Sequence, residues 1–150
     1  MSVYKQILVA TDFSDINRLA VKRASLLAKQ NNCALILLHI IEHFPTGNGP
    51  LSSVFQYNAE ADNALAKHAR SKLDELKHTL DYQDVQTEFR ITSKSARHEI
   101  LRVAKAHGVD LIVVAPHGQG IIGTLGSTAT GVLNNASCDV LAVRETDEML

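Results

Sequence analysis

The sequence predicts an α/β fold, a single doubly wound domain in which a five-stranded parallel sheet carries helices on both faces. Ile7-Leu8-Val9-Ala10, Ala34-Leu35-Ile36-Leu37-Leu38, Leu111-Ile112-Val113-Val114-Ala115 and Val140-Leu141-Ala142-Val143 are unbroken apolar runs, too short for helices and rich in branched side chains. Unbroken apolarity means burial on both faces, the mark of parallel strands between helical layers. Between these runs apolar residues recur at helical spacing. The two patterns alternate along the chain, and right-handed crossovers then put helices on both sides of the sheet.

Each element has its own signal. The first helix is expected behind a cap at Ser14 or Asp15, with Ile16, Leu19, Ala20, Arg23, Ala24, Leu27 and Ala28 at i, i+3, i+4 spacing and Asn31-Asn32 as its stop. Further helices are expected at about 59 to 80, 96 to 107 and 127 to 136. Ala61, Leu65, Ala69, Leu73, Leu76 and Leu80 would line one side of the second, and Ile100, Val103 and Ala104 one side of the third. Lys67, Arg70, Lys72, Glu75 and Lys77 form either the wet face of the second helix or a partner surface. Val85 to Ile91 alternates apolar and polar residues, which suits an edge strand with one face in water. Glu42 to Asn58, with Pro45, Gly47, Gly49 and Pro50, is longer than ordinary connections and reads as a lid or a mobile loop.

Composition bounds the function. At 150 residues the chain suits one domain, 1–150, that buries roughly 70% of its unfolded surface. With 45% apolar residues, 21% charged residues and a net charge of −1, bulk attraction to nucleic acid is not expected. Every apolar run is interrupted well short of the ~20 residues of a membrane helix, and the amino terminus lacks an export pattern, so a soluble protein is expected. Cys33 and Cys138 each open an apolar run and read as small buried hydrophobes, without neighbours at metal-ligand spacing. His39 lies inside a strand run, where a backbone hydrogen bond would satisfy it, and no histidine pair suggests a metal site.

Two segments could carry chemistry. Asp12, in Ala10-Thr11-Asp12-Phe13-Ser14, emerges at the carboxyl end of the first strand, where it could recognise a ribose hydroxyl or a base edge, or merely cap the next helix. Ala115-Pro116-His117-Gly118-Gln119-Gly120-Ile121-Ile122-Gly123-Thr124-Leu125-Gly126-Ser127-Thr128 follows a buried strand and ends where a helix begins. Glycine backbone and helix amides make it a possible phosphate cradle, with a flexible turn as the alternative. It is neither a Walker loop nor a dinucleotide fingerprint: Gly-Lys-Ser/Thr is missing, and the one G-x-G-x-x-G follows the fourth strand, not the first. His117 could serve as an acid or base, or simply be solvated.

These residues carry a resemblance. Ile-Leu-Val-Ala-Thr-Asp-Phe-Ser at 7–14, Leu-Leu-His-Ile-Ile at 37–41, Ala-His-Gly-Val-Asp-Leu-Ile-Val-Val at 106–114 and the run from Gly126 to Arg144 resemble the universal stress protein family, in order and across essentially the whole chain. The resemblance implies a sheet order 3-2-1-4-5, a cytoplasmic stress-survival role, and a homodimer through Val140, Leu141, Ala142 and Val143, whose edge strand would pair with its copy. The acidic tail from Glu145 to Leu150 would be disordered.

ATP-binding members of that family resemble one another in a pattern of Gly, two residues, Gly, nine residues, Gly and Ser or Thr. Here Ala115 stands at the first glycine position, Gly118 at the second and Gly126-Ser127 at the last, but only seven residues separate Gly118 from Gly126. By positional match Asp12 would contact ribose or adenine, and the chain around Ala10, Thr11 and Ile40 would bracket the base. Ala115, His117, Gly118, Gly126, Ser127 and Thr128 would lie along the phosphates, with Mg²⁺ assisting because this loop has no Lys or Arg. The expectation is a regulatory ATP-binding module rather than an enzyme. The alternative is a nucleotide-independent dimer of the universal stress protein A type, and slow ATP hydrolysis ranks below both.

Overall fold

The computed structural model describes residues 2–42, 59–116 and 126–144, with side chains of the second helix described from residue 62. The elements run β1 (Gln6–Ala10), α1 (Asp15–Asn31), β2 (Ala34–Glu42), α2 (Ala59–His78), β3 (Val85–Thr92), α3 (Ala96–Ala106), β4 (Leu111–Val114), α4 (Ser127–Asn135) and β5 (Asp139–Ala142). All strand pairs are parallel, in the order β3-β2-β1-β4-β5. The segment after Glu42, the loop holding His117, Gly118, Gly120 and Gly123, and the tail from Glu145 all lie outside the described residues.

Period-two alternation divides the core between the two faces. Ile7, Val9, Leu35, Leu37, Leu111 and Val113 point to one side, where they meet Ala20, Val21, Ala24 and Ala28 of α1 and Leu73 of α2. Leu8, Ile36, Leu38, Ile112 and Val114 point to the other, against Ile100, Val103 and Ala104 of α3 and Ala129 and Val132 of α4. This is the double burial that the unbroken runs predict.

Backbone ends are tied by side chains. Asp110 accepts from the amides of Lys5 and Gln6 at 2.9 and 3.0 Å, and Asn31 accepts from those of Val3 and Tyr4 at 2.7 and 3.1 Å. The Tyr4 hydroxyl donates to Asp139 at 2.9 Å, joining the start of β1 to the start of β5. The Asn31-Asn32 stop takes the expected form, with Asn32 in the left-handed region at φ 53°.

Several expectations are corrected. The buried stripe of α1 is Asn17, Ala20, Val21, Ala24, Ser25 and Ala28, one position round from the predicted one, and Arg23 is exposed. Leu65 is 42% exposed, so the apolar side of α2 among its described side chains is Ala69, Leu73 and Leu76, with Leu80 just past the helix end. β2 runs four residues beyond its apolar run because β3 pairs with it up to Glu42. β3 is an edge strand, but its alternation breaks down: Ile91 is exposed and Thr92 buried. Of the four residues expected at the β5 edge, Val143 is only 2% exposed and belongs to this chain's own core.

Leu73→Ala is expected to lower stability by about 2–5 kcal/mol, whereas Leu65→Ala should change it by no more than about 0.5 kcal/mol. Urea unfolding of the two variants checks the corrected face.

Candidate functional site

The direction of winding reverses between β1 and β4, which leaves a crevice beyond their carboxyl ends. A cavity of about 240 Å³ opens there. Ala10, Thr11 and Asp12 line it from the exit of β1, Val114 and Ala115 from β4, and Leu38, Ile40 and Glu42 from β2. Ala96 and Ile100 of α3, Asn17 of α1, and Gly126, Thr128 and Ala129 at the start of α4 complete the wall. The structure thus brings Ala10, Thr11, Asp12, Ile40, Ala115, Gly126 and Thr128 to one site. Ser127 is the exposed first residue of α4 and does not line the cavity, and His117 and Gly118 lie outside the described residues.

The bend after β1 is held locally. The Thr11 amide continues the β1–β2 ladder by donating to the Leu38 carbonyl at 2.9 Å, and the Thr11 hydroxyl oxygen accepts from the Phe13 amide at 3.0 Å. Phe13 takes φ 67°, an uncommon conformation for a bulky residue. Asp12 accepts from the Ser14 amide at 2.9 Å through Oδ1, an Asx turn, while its residue also lines the cavity. Asp12 therefore braces the turn ahead of α1 instead of capping the helix itself, and it borders the cavity. Ser14 occupies the cap position of α1 without a side-chain cap bond.

Asn17 was not foreseen. Its side chain is 8% exposed, lines the cavity, and accepts from the Asp12 amide at 3.0 Å through Oδ1, fixing the Asp12 backbone. A polar residue three before Ala20 and seven before Ala24 falls on the buried stripe, and that was its signal in the sequence.

Two helix amino termini meet at the cavity rim, and they differ. At α3 the Ser95 hydroxyl accepts from the His98 amide, Glu42 accepts from the Ala96 amide at 2.6 Å, and Glu99 adds negative charge in the first turn. At α4, Gly126 is the cap residue, among the described residues no side chain caps the helix, and its first turn holds no acidic residue. The first-turn amides of a helix have no intrahelical acceptor and carry the positive end of its dipole, so α4 presents the better anion site. The described lining contains two carboxylates, Asp12 and Glu42, and neither Lys nor Arg.

His39 lies behind this wall. Its Nδ1 is 2.7 Å from the Thr11 carbonyl oxygen, so the ring donates there and is fixed in one tautomer. Its ring packs on Phe13 at 4.4 Å and on Phe89 at 6.0 Å between centroids. Burial pushes its pKa below the ordinary value of 6.5, outweighing the Thr11 bond and the nearby Asp12 charge that favour the cation. Cys33 and Cys138 are free thiols, and among the described residues no cluster of His, Cys, Asp and Glu has the makeup of a metal site.

An open parallel sheet with a cavity at its switch point, faced by the amino terminus of α4, defines an α/β protein of the doubly wound class, in which ligand sites lie at that point. Comparisons give the family. The universal stress protein family model matches residues 3–144, and the chain belongs to that family. Universal stress protein A homolog 1 of Coxiella burnetii is 38% identical over 93% of this chain and 96% of that protein. The solved universal stress protein UspA from Lactobacillus plantarum superposes with a TM-score of 0.79 at 27% identity, over 96% of this chain and 100% of that one. A universal stress protein solved in complex with cAMP, 24% identical, shares the fold at a TM-score of 0.63, over 95% of this chain and 98% of that one.

With the folded pKa of His39 depressed, the unfolded chain takes up its proton first as pH falls. Its contribution to stability is therefore complete above about pH 6.5 and is lost progressively below it. The urea midpoint should fall as pH drops from 7.5 to 5.5 by more in the native sequence than in His39→Gln, and equal slopes would exclude this residue as the cause.

Proposed function

We propose that the cavity binds an adenine nucleotide, ATP in particular, and that the chain is a cytoplasmic regulatory module of the stress response rather than an enzyme. The observation that carries this reading is the uncapped amino terminus of α4 beside an apolar slot at the tip of β1 and β4. About 240 Å³ lies just below the ~300–1,000 Å³ of ordinary ligand pockets. That leaves room for a base and sugar, with phosphates extending over α4. Ala10, Leu38, Ile40 and Ala115 supply apolar contacts for the base, and Asp12 accepts from ribose hydroxyls or a base amine. Gly126 and Thr128, with Ser127 beside them, offer amides and hydroxyls to the phosphates.

Phosphates beside a lining that holds Asp12 and Glu42 but neither Lys nor Arg meet like charge, so Mg²⁺ would accompany a triphosphate. The complex between a related protein and cAMP belongs to that protein, and at 24% identity the likeness extends to the fold alone. The alternative remains a nucleotide-independent dimer of the universal stress protein A type, favoured by the seven-residue spacing from Gly118 to Gly126.

We propose homodimerisation through the last strand, which the sheet order supports. β5 is an edge, and Val140, Leu141 and Ala142 keep part of their surface exposed along it. Pairing with a second copy would satisfy the free backbone edge. Sedimentation at micromolar concentration is expected to give twice the chain mass.

Calorimetric titration with ATP and Mg²⁺ tests the site. Saturable binding is expected, weakened at least about tenfold in Gly126→Met, whose side chain would enter the cavity, and in Asp12→Ala. No binding at millimolar ATP would move the chain to the nucleotide-independent reading.

A further inference from the structure

A second cavity, of about 380 Å³, lies on the opposite face of the sheet in the cleft between α1 and α2. Phe13, Val21, Leu76 and Leu80 give it apolar walls, and Thr79 lies near its lower end. Its charged residues are Arg18, Lys22, Lys72 and Glu75, an excess of positive charge on a chain whose net charge is −1. Asp15 lies 3.9 Å from Arg18, but both side chains are largely exposed, and such a pair is weak and readily exchanged. Lys72 rests its ammonium 5.4 Å from the centre of the Phe13 ring.

Two cations mark one end of the cleft, and Lys22 and Glu75 flank its middle beside Val21 and Leu76. Arg18, in the first turn of α1, and Lys72, above Phe13, stand at the end nearer the strand tips. Val21 and Leu76 follow, then Thr79 and Leu80. On α1 the row Arg18, Lys22, Leu26 advances by four residues at each step, so these side chains lie along one ridge. Leu26, 57% exposed and just outside the cavity lining, is a large apolar side chain in water one turn beyond Lys22 and one turn before Lys29, which pairs with Asp81 at 3.0 Å. From Lys72 to the helix end at His78 the path covers about 9 Å at ~1.5 Å per residue, with Leu80 two residues further on, a span that suits a medium-length alkyl chain.

We propose that this cleft is a binding site for a medium-chain fatty carboxylate. The carboxylate pairs with Arg18 and Lys72, and the chain lies over Val21 and Leu76 toward Leu80 and Leu26. Charge complementarity selects the head, and the apolar walls and exposed Leu26 select the tail. The residues belong to a different face from the nucleotide cavity, so the proposal stands apart from the ATP reading. Phe13 and Thr11 connect the two sites physically, since Phe13 lines the cleft, packs on His39, and His39 bonds to the Thr11 carbonyl beside the first cavity.

The test titrates purified, nucleotide-free full-length protein with decanoate below its micelle concentration and follows backbone amide shifts, with decanol as the uncharged control. Saturable shifts centred on Val21, Leu76 and Thr79 are expected, with decanol at least about tenfold weaker. Arg18→Glu combined with Lys72→Glu should weaken decanoate about tenfold or more while leaving decanol unchanged, and Leu26→Ser should weaken both about threefold. All three positions are exposed, and far-ultraviolet dichroism verifies that the variants fold. Shifts centred on Ala10, Ala115 and Gly126, equal affinity for decanoate and decanol, or no saturation at millimolar decanoate would each overturn the proposal.

Discussion

The structure depends on the burial of β1 from both sides. Ile7, Leu8 and Val9 have no exposed surface, and their alternation sends neighbouring side chains into the two halves of the core. A strand in that position must pair on both edges, here with β2 and β4. Its neighbours are reached by crossovers of opposite direction, one through α1 and the other after β3 and α3. The crevice where these directions part is a product of connectivity, and any residue just beyond Ala10 must stand in it. Thr11 and Asp12 do so, held by a turn that spends its hydrogen bonds locally.

The same crevice collects helix termini, and their unequal satisfaction gives the site its direction. Glu42 reaches α3 only because β2 continues past its apolar run, and its carboxylate then occupies the Ala96 amide that an incoming anion would want. α4 begins at Gly126 with no such guard. One rim therefore holds a closed anion site and an open one, with the apolar slot between them. In a cavity whose described lining holds two carboxylates and neither Lys nor Arg, backbone dipoles are the main attraction for a phosphate, so ligand geometry matters more than net charge.

Much of this was legible in the residues. Unbroken apolar runs identified β1, β2, β4 and β5 to within a residue at most ends, because only a strand covered on both faces can be apolar throughout. The places of Asp12 and Gly126 at strand and helix ends were legible, and both line the cavity. The misses share a cause. The stripe of α1 was assigned by apolarity, so Asn17 was passed over although it is buried and shapes the site, and Arg23 was included although it points to water. Leu65 fits the apolar stripe of α2 by spacing but is 42% exposed, because tertiary packing and not periodicity decides which turns of a helix are covered.

By itself the sequence determined the class of fold, the succession of elements and the strand ends at which a ligand would be met, since each follows from local periodicity and chain connectivity. Only the tertiary structure decided which polar residues share that place. Asn17 against the Asp12 backbone, Glu42 against the Ala96 amide and His39 against the Thr11 carbonyl join residues 5, 54 and 28 positions apart in the chain. The latter two pairings come from different elements, and no periodicity records them. They exist because the tertiary fold brings these donors and acceptors within hydrogen-bonding distance, where each bond satisfies a backbone group.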